Sequence, residues 1–357
     1  MEINDLRLEH TPGLNPLSPS TPLSMHGSAT IACFVDSYPL NIAINHCRII
    51  TAATTAISFD AINSPYRTTP AKKHSVKVTK CTISGRVHPL ETWPLDSPIW
   101  DKLELLFGLQ TMRQLDPGNY IGVKLRALHP GQKPIDMSGS VFEVSGCTID
   151  SGKWAGVAAG FLESNQSSVF RVVSKNYVGY HPSSSLEGTR VGVIFMNGSV
   201  IDSSLESWAK GTIDVNSNYI KLQKYFPFPP PDWSTGILVR VNSALAQTNT
   251  TINHNEVEFT QSTLPSWPAG TNPTDLLMDG ILYQDDKEPL VSANAKVFIT
   301  DNVLVSPTVK PLRGISLIKR AHDVMVTNNN LTKLTASHAQ IYVDPEAYNC
   351  NVSGNVP

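Results

Sequence analysis

Apolar and polar residues alternate along this chain in a short phrase that recurs from one end to the other. Two nearly identical copies lie close together, VFITDNVL at 297–304 and VMVTNNNL at 324–331. In each copy, apolar residues two positions apart are followed by an Asn and a further apolar residue. A period of two is typical of a β-strand with one buried face. Self-similarity of this kind predicts stacked units that bury their apolar faces against each other.

The phrase apolar-x-x-(Asn or Cys)-x-apolar predicts about nine to ten such units. Its marker residues, which we call the ladder column, are Leu6, Cys47, Cys81, Cys147, Asn176, Asn218, Asn255, Asn302, Asn329 and Asn355. The last three markers are 27 and 26 residues apart, which is too short for a parallel sheet covered by helices. Such short returns favour a coil of strands in which equivalent side chains stack about 4.8 Å apart.

Asn suits the ladder column because each amide carries both hydrogen-bond donors and an acceptor. Stacked Asn side chains can therefore hydrogen-bond from one turn to the next, whereas stacked Asp carboxylates would repel each other. Cys47, Cys81 and Cys147 replace Asn with a small apolar thiol, and we expect buried free thiols there. The stacking distance would also permit a disulfide between Cys47 and Cys81.

This pattern resembles the right-handed parallel β-helix (pectin-lyase-like) superfamily, including its Asn ladder at the turn between the second and third sheets as that superfamily numbers them. The resemblance covers essentially the whole chain. It implies an all-β fold, a right-handed parallel β-helix solenoid that forms a single domain over 1–357. It implies less about function, because the superfamily holds lyases, hydrolases, epimerases, phage tailspikes and adhesins.

One turn departs from the pattern at Arg171. This residue lies two positions before Val173, where an inward apolar residue is expected. We therefore predict a β-bulge or a register shift that turns Phe170 and Val172 inward.

The ladder column is interrupted after Cys81 by an insertion at about 84–120. Within it the sequence predicts one α-helix at about 97–115, because Ser97 can cap the helix and Pro98 suits its first position. The apolar side of this helix favours a lid over the coil, and the alternative is a helix that binds a partner.

Composition excludes several classes of function. Charged residues make up 16% of the chain and the net charge is −2, so nothing favours nucleic acid or an anionic membrane as a partner. No stretch approaches the length of a transmembrane helix. The five cysteines include no CxxC and no His/Cys metal spacing, and no nucleotide-binding motif occurs, so no cofactor or metal is predicted.

The N-terminus MEINDLRLEH lacks the basic and apolar regions of a signal peptide. Ile3 already lies in a turn of the coil and Asn355 lies in the middle of another. The chain could therefore be a fragment of a longer protein from which an export signal has been removed. With that reservation we expect a secreted or cell-surface protein.

Long loops precede the strands of the third sheet, so that their tips line one edge of that sheet and can wall a groove. Trp233 and Trp267 lie in two of these loops among prolines. Proline stiffens a loop and aromatic faces suit sugar rings, which favours a binding platform for a polysaccharide. The alternative is that both Trp side chains anchor long loops to the body.

Alternation also assigns the outer face of the third sheet. Its candidate functional residues, in three columns, are Tyr342 in the first, Arg240, Gln284 and Asp344 in the second, and Asp286 and Arg320 in the third.

Two reaction types fit these residues. Asp286 and Asp344 would lie two turns apart, roughly 9–10 Å, which suits an inverting glycoside hydrolase. A polysaccharide lyase would instead use Arg240 and Arg320 to neutralise a uronate. Against both, the same face is rich in Leu, Ile and Tyr. Asp285-Asp286 is similar to the paired aspartates of polygalacturonases, but the companion signatures of those enzymes do not occur, so enzymatic activity is left undecided.

The sequence thus predicts a carbohydrate-active or carbohydrate-binding protein with a polysaccharide in the groove of the third sheet. Trp233, Trp267, Tyr342 and Gln284 would bind the glycan, and Asp286, Asp344, Arg240 and Arg320 would be the catalytic candidates. The alternative is a non-enzymatic structural or adhesive segment of a larger surface or tailspike-type protein. In that case the apolar face of the third sheet would be covered by the chain's own loops or by a second subunit of a homo-oligomer.

Overall fold

The structure is a computed structural model that describes residues 1–9, 29–35, 41–51, 55–62, 73–85, 121–128, 139–150, 155–161, 168–179, 191–197, 210–223, 234–241, 248–260, 278–285, 296–307 and 309–357. Every regular element within these ranges is a β-strand, which confirms the all-β prediction. The helix predicted at about 97–115 lies outside the described residues.

The strands form three parallel sheets, and the chain adds one strand to each sheet per turn. The first sheet consists of β1 (Glu2–Asn4), β4 (Asn41–Asn45), β7 (Ser75–Thr79), β10 (Val141–Ser145), β13 (Ser168–Ser174), β16 (Lys210–Asn216), β19 (Thr248–Asn253), β22 (Val297–Thr300), β25 (Val324–Thr327) and β28 (Asn351–Ser353).

The second sheet follows the ladder column. It consists of β2 (Arg7–Glu9), β5 (Arg48–Thr51), β8 (Thr82–Gly85), β11 (Thr148–Asp150), β14 (Tyr177–Val178), β17 (Tyr219–Gln223), β20 (Glu256–Thr260), β23 (Val303–Val305) and β26 (Asn330–Lys333).

The third sheet completes each turn. It consists of β3 (Ala29–Val35), β6 (Thr55–Ile62), β9 (Ile121–Leu128), β12 (Ala155–Phe161), β15 (Val191–Asn197), β18 (Ser234–Val241), β21 (Met278–Asp285), β24 (Arg313–Lys319) and β27 (Ala339–Val343). Each inner strand of the three sheets pairs with the strand one turn before it and the strand one turn after it, and the strands at the two ends of each sheet pair with one neighbour. This arrangement is a parallel β-helix, as the repeat predicted.

One hydrophobic core runs along the inside of the coil. Its residues come from the alternating inward positions of all three sheets. In the first sheet the inward column three residues before the ladder column is fully buried and consists of Ile44, Val78, Val144, Val173, Val215, Ile252, Ile299 and Val326. Because each residue packs on its equivalents in the neighbouring turns, no turn has a complete core of its own.

The ladder column is a continuous chain of hydrogen bonds in its Asn half. The Asn218 backbone N–H and side-chain Nδ2 both donate to Asn255 Oδ1, at 3.1 and 2.9 Å. Asn255 Nδ2 in turn donates to Asn302 Oδ1 at 3.0 Å and to the carbonyl of Val215 at 2.8 Å. Each amide therefore satisfies backbone groups of the preceding turn and donates to the amide oxygen of the next one, which confirms the predicted ladder.

The three ladder cysteines are buried free thiols, as predicted. They occupy the same hydrogen-bonding positions as the amides. Cys81 Sγ donates to the carbonyl of Ile44 at 3.5 Å, and Cys147 Sγ accepts the Cys81 backbone N–H at 3.4 Å. A thiol is a weaker donor and acceptor than an amide, so this half of the column depends more on apolar packing.

The prediction of a β-bulge or a register shift around Arg171 is wrong. Strand β13 pairs in unbroken register with both neighbours, and Arg171 lies opposite Phe142 on one side and Ile213 on the other. Val172 is half-buried and lies in the outward column rather than turned into the core. A bulge would have broken backbone pairs with two strands at once, and in-register pairing on both sides prevents it.

A glycine column brings the third sheet close to the second. A Cβ atom added at Gly236 would lie 2.5 Å from the carbonyl oxygen of Gly280 and 2.7 Å from Val257 Cγ1. No side chain fits at that distance, so the sequence must place glycine there.

We expect Asn255→Asp to destabilise the protein by about 3 kcal/mol at neutral pH, because an oxygen would replace the donor that faces Val215 O and Asn302 Oδ1. The two side chains have nearly the same shape, so no cavity contributes. The free energy of unfolding in urea measures the effect. Asn351→Asp at an exposed position is the control, and equal effects of the two substitutions would contradict a structural role for the ladder.

We expect Thr250→Val to stabilise the protein by about 1 kcal/mol. Thr250 is fully buried between Ile213 and Val297, and its hydroxyl has no hydrogen-bond partner among the residues that the structure describes. Thr251→Val on the outward side of the same strand is the control, with an expected change within about 0.5 kcal/mol. A loss of stability in Thr250→Val would show that the hydroxyl has a partner.

Candidate functional site

The outer face of the third sheet has the columns that alternation predicted. Leu238, Leu282, Ser316 and Tyr342 pair in register across β18, β21, β24 and β27. The neighbouring column holds Arg240, Gln284 and Ile318. The candidate residues Arg240, Gln284 and Tyr342 are half-buried and lie on this one face.

Asp344 and Arg320 lie beyond the ends of their strands. The Asp344 backbone N–H donates to the carbonyl of Leu317 at 2.8 Å, and its Oδ1 accepts the Glu346 N–H at 2.9 Å. The Asp344 carboxylate therefore stabilises a turn of the backbone, which is a structural role. Arg320 is exposed, and its backbone N–H donates to the carbonyl of Asp285 at 3.3 Å.

Three further candidates, Asp286, Trp233 and Trp267, lie outside the described residues. The predicted separation of Asp286 and Asp344 and the predicted Trp platform consequently stay predictions.

The middle of the same face is buried. The outward side chains of Ala155 and Ile194 are 0% and 4% exposed, and Leu238 packs against them. Leu282, one turn further on, is 3% exposed. Among the described residues of this face, half-buried polar side chains are found towards its last strands, at Arg240, Gln284 and Tyr342. A ligand of this sheet would therefore contact the end formed by β18, β21, β24 and β27.

A buried ion pair lies at that end. Arg313 Nε and Nη2 donate to the two carboxylate oxygens of Asp279, at 2.8 and 3.1 Å, and Ser316 Oγ donates to Asp279 Oδ1 at 2.9 Å. The side chains of Arg313 and Asp279 are 8% and 1% exposed. Two parallel hydrogen bonds to one carboxylate fix the orientation of a guanidinium.

The fixed guanidinium supports Tyr342. Arg313 Cζ lies 4.8 Å from the centre of the Tyr342 ring, a cation–π contact. His338 approaches the same ring at 5.6 Å between centroids, tilted by 53°. Asp279, Ser316, Arg313 and Tyr342, which we call the tyrosine support, thus hold one aromatic ring in place on the outer face.

Burial is the main influence on Asp279, and it raises the pKa of this carboxyl, whereas the hydrogen bonds from Arg313 and Ser316 oppose the shift. Desolvation therefore offsets much of the attraction between the two charges. The ion pair therefore contributes more to the orientation of the Arg313 guanidinium than to the net stability of the protein.

Sequence reasoning missed this network, although a signal was present. Asp279 precedes Gly280 and Arg313 precedes Gly314, so opposite charges occupy the same phase of successive turns. In-register stacking of successive turns would have predicted that Asp279 and Arg313 are neighbours, and they are Cα partners in the structure.

Within the described ranges no group of three or more His, Cys, Asp and Glu side chains could hold a metal ion. In the same part of the chain, no helix is both long and apolar enough to cross a membrane.

Comparison with models of known protein families found no match, and comparison with curated proteins found no significant similarity either. The fold and the arrangement of side chains therefore carry the functional argument.

We expect Arg313→Met to cost about 3 kcal/mol of stability at about pH 7, because it leaves Asp279 charged and buried without its partner. The cost should shrink towards about pH 5. A carboxyl whose native pKa lies above its unfolded value binds its proton more tightly in the native state, so acid stabilises the variant relative to wild type. Urea unfolding at both pH values measures this, and the double variant Arg313→Met/Asp279→Asn should lose the recovery. A cost that is independent of pH would contradict the ion pair.

Proposed function

We propose that this chain binds an extended polysaccharide on the outer face of the third sheet, at the end formed by β18, β21, β24 and β27. The observation that carries the proposal is the tyrosine support, which holds the Tyr342 ring on this face through Arg313 and buried Asp279. A ring that is already fixed loses little entropy on binding, and an aromatic side chain offers apolar area beside a polar tip.

Polar side chains of the neighbouring column would supply the hydrogen bonds. Arg240 and Gln284 lie opposite each other in adjacent strands, about 4.8 Å apart along the coil, on the same face as Tyr342. Donors and acceptors at regular steps beside an aromatic ring suit the hydroxyl groups of a chain of sugars. In this proposal Trp233 and Trp267 extend the platform from the loops.

We further infer that the protein is pectin-lyase-like and works outside the cell or on its surface. The support for this finer assignment is the combination of three parallel sheets with an Asn ladder between the first and second of them. Extended glycans are abundant in that location, and the low charge of the chain offers no competing nucleic-acid partner.

Binding without turnover is the form of the proposal that the described side chains favour. Hydrolysis would need Asp286 and Asp344 as a pair, but Asp344 already accepts a backbone hydrogen bond that closes a turn. A lyase would rely on Arg240 and Arg320, with a base still to be found. Asp279 is an unsuitable base, because it is buried and bonded to Arg313.

A structural or adhesive role is the second candidate, and one observation favours it. Outward apolar side chains of the third sheet, such as Ile194 on β15 and Leu282 on β21, are buried. A face that is covered along much of its length would serve as a packing surface rather than as a groove.

Binding of a panel of neutral and acidic polysaccharides, measured by co-sedimentation, tests the proposal. We expect wild type to bind at least one of them and Tyr342→Ala to bind it about tenfold more weakly, as expected for loss of one aromatic contact. Tyr177→Ala is the matched control, since Tyr177 is 39% exposed on the second sheet, away from the proposed site. Release of reducing ends or unsaturated products, compared with Asp286→Asn, tests for turnover.

Failure of wild type to bind any polysaccharide would contradict the proposal and favour the structural role. Equal weakening by Tyr342→Ala and Tyr177→Ala would place binding elsewhere on the coil.

A further inference from the structure

A buried histidine lies between two carboxylates at the corner where the third sheet passes to the first. His322 is 3% exposed. Its Nδ1 lies 2.9 Å from Asp323 Oδ2, and its Nε2 lies 3.4 Å from Asp285 Oδ2. The Asp285 side chain is fully buried, and that of Asp323 is 34% exposed.

These side chains connect three successive turns of the coil. Asp285 ends β21, and His322 and Asp323 lie one turn later, just before β25. One turn further on, the Tyr348 ring stacks on the imidazole at 5.3 Å and 14°, and Asn349 Nδ2 donates to Asp323 Oδ1. We call these five residues the histidine clamp.

The backbone reinforces the same connection. His322 and Tyr348 form an isolated parallel bridge, and the Tyr348 N–H donates to the carbonyl of Ala321 at 3.0 Å. No longer ladder of pairs supports this corner in the described part of the chain, so the side chains of the clamp carry much of the contact.

Only the protonated imidazole satisfies both carboxylates. An imidazolium has two N–H donors and a positive charge, whereas the neutral ring has one donor and one acceptor. After loss of the proton, one ring nitrogen would face a carboxylate oxygen without a hydrogen, and the attraction between the imidazolium and the two carboxylates would be lost. Deprotonation therefore weakens this corner.

The shift in the pKa of His322 agrees with this geometry. The hydrogen bond to Asp285 is the largest influence and raises the pKa, burial opposes it, and Asp323 raises it further.

Two other titratable groups near the clamp, Cys350 and Tyr283, have raised pKa values. Burial raises the pKa of the Cys350 thiol and, together with Asp285, raises the pKa of Tyr283 well above its ordinary value. Lys319 and Arg320 follow the end of β24 and are exposed cations. In the neutral and mildly alkaline range, His322 is therefore the group expected to lose its charge.

We propose that the histidine clamp is a proton-dependent latch: protonated His322 holds the last turns of the coil, residues 321–357, against the body, and loss of that proton loosens them. The inference is independent of any polysaccharide. Since the native pKa of His322 lies above its unfolded value, the stabilisation is complete below the ordinary histidine pKa of about 6.5 and is lost as the pH rises through the native value.

Hydrogen exchange of the full chain, followed by mass spectrometry from about pH 6 to about pH 9, tests the latch. Peptides from 321–357 are compared with peptides from 248–260 after correction for the intrinsic exchange rate. We expect protection in 321–357 to fall by up to about tenfold per pH unit between the ordinary histidine pKa of about 6.5 and the raised native pKa of His322, because in that range one proton is released on opening. Protection in 248–260 should not follow it.

Two variants separate the latch from general alkaline instability. His322→Asn should give weaker protection in 321–357 that is independent of pH, whereas His254→Asn, at an exposed turn, should behave as wild type. Asp323→Asn guards against misfolding of the first variant, because Asn tolerates the φ of 52° at this position. In Asp323→Asn only the Asp285 carboxylate faces the ring, and a neutral imidazole can satisfy it with one N–H. The pH dependence of protection in 321–357 should therefore be smaller than in wild type.

The same pH slope in wild type and His322→Asn would overturn the proposal, as would protection in 321–357 that rises with pH. An unchanged slope in Asp323→Asn would equally exclude the two-carboxylate mechanism.

Discussion

In-register backbone hydrogen bonds between parallel strands place each side chain about 4.8 Å from its equivalent in the next turn. This constraint decides which residues meet in the described part of the molecule. It stacks apolar residues into one core, amides into the ladder column and glycines into a close contact between sheets. Because each turn is completed by its neighbours, substitutions act through the turns on either side as much as through their own.

The same constraint gives polar residues inside the coil a specific arrangement. An Asn in the ladder column supplies donors and an acceptor in the direction of stacking, so the buried turn loses no backbone hydrogen bonds. Charges inside or under the sheets require a partner one turn away, as Asp279 has in Arg313 and Asp285 has in His322. Pairs of this kind couple adjacent turns and orient nearby side chains, including Tyr342.

Much of the fold could be predicted because it repeats. The ladder column from Cys47 to Asn355 and the outer columns of the third sheet follow from alternation and spacing alone, and the register agrees with them. The tyrosine support and the histidine clamp were not predicted, since each depends on a single pair of turns rather than on the repeat. His322 and Tyr348 lie in corners between strands, where alternation no longer determines the direction of a side chain. At Arg171 the sequence departs from the repeat but the structure does not. The polar residue at an apolar position suggested a bulge, and the continuous pairing of β13 with both neighbouring strands excludes it.

Disulfide formation between neighbouring turns tests the in-register stacking most directly. Phe298 and Met325 are Cα partners in β22 and β25, so Phe298→Cys/Met325→Cys places two thiols within the Cα separation of about 4.4–6.8 Å that a disulfide needs. In Phe298→Cys/Thr327→Cys the second thiol is offset by two residues, about 7–8 Å away. The account predicts that mild oxidation links the first pair and not the second, as detected by mass spectrometry. Efficient linking of the offset pair, or of neither pair, would contradict the stacked coil.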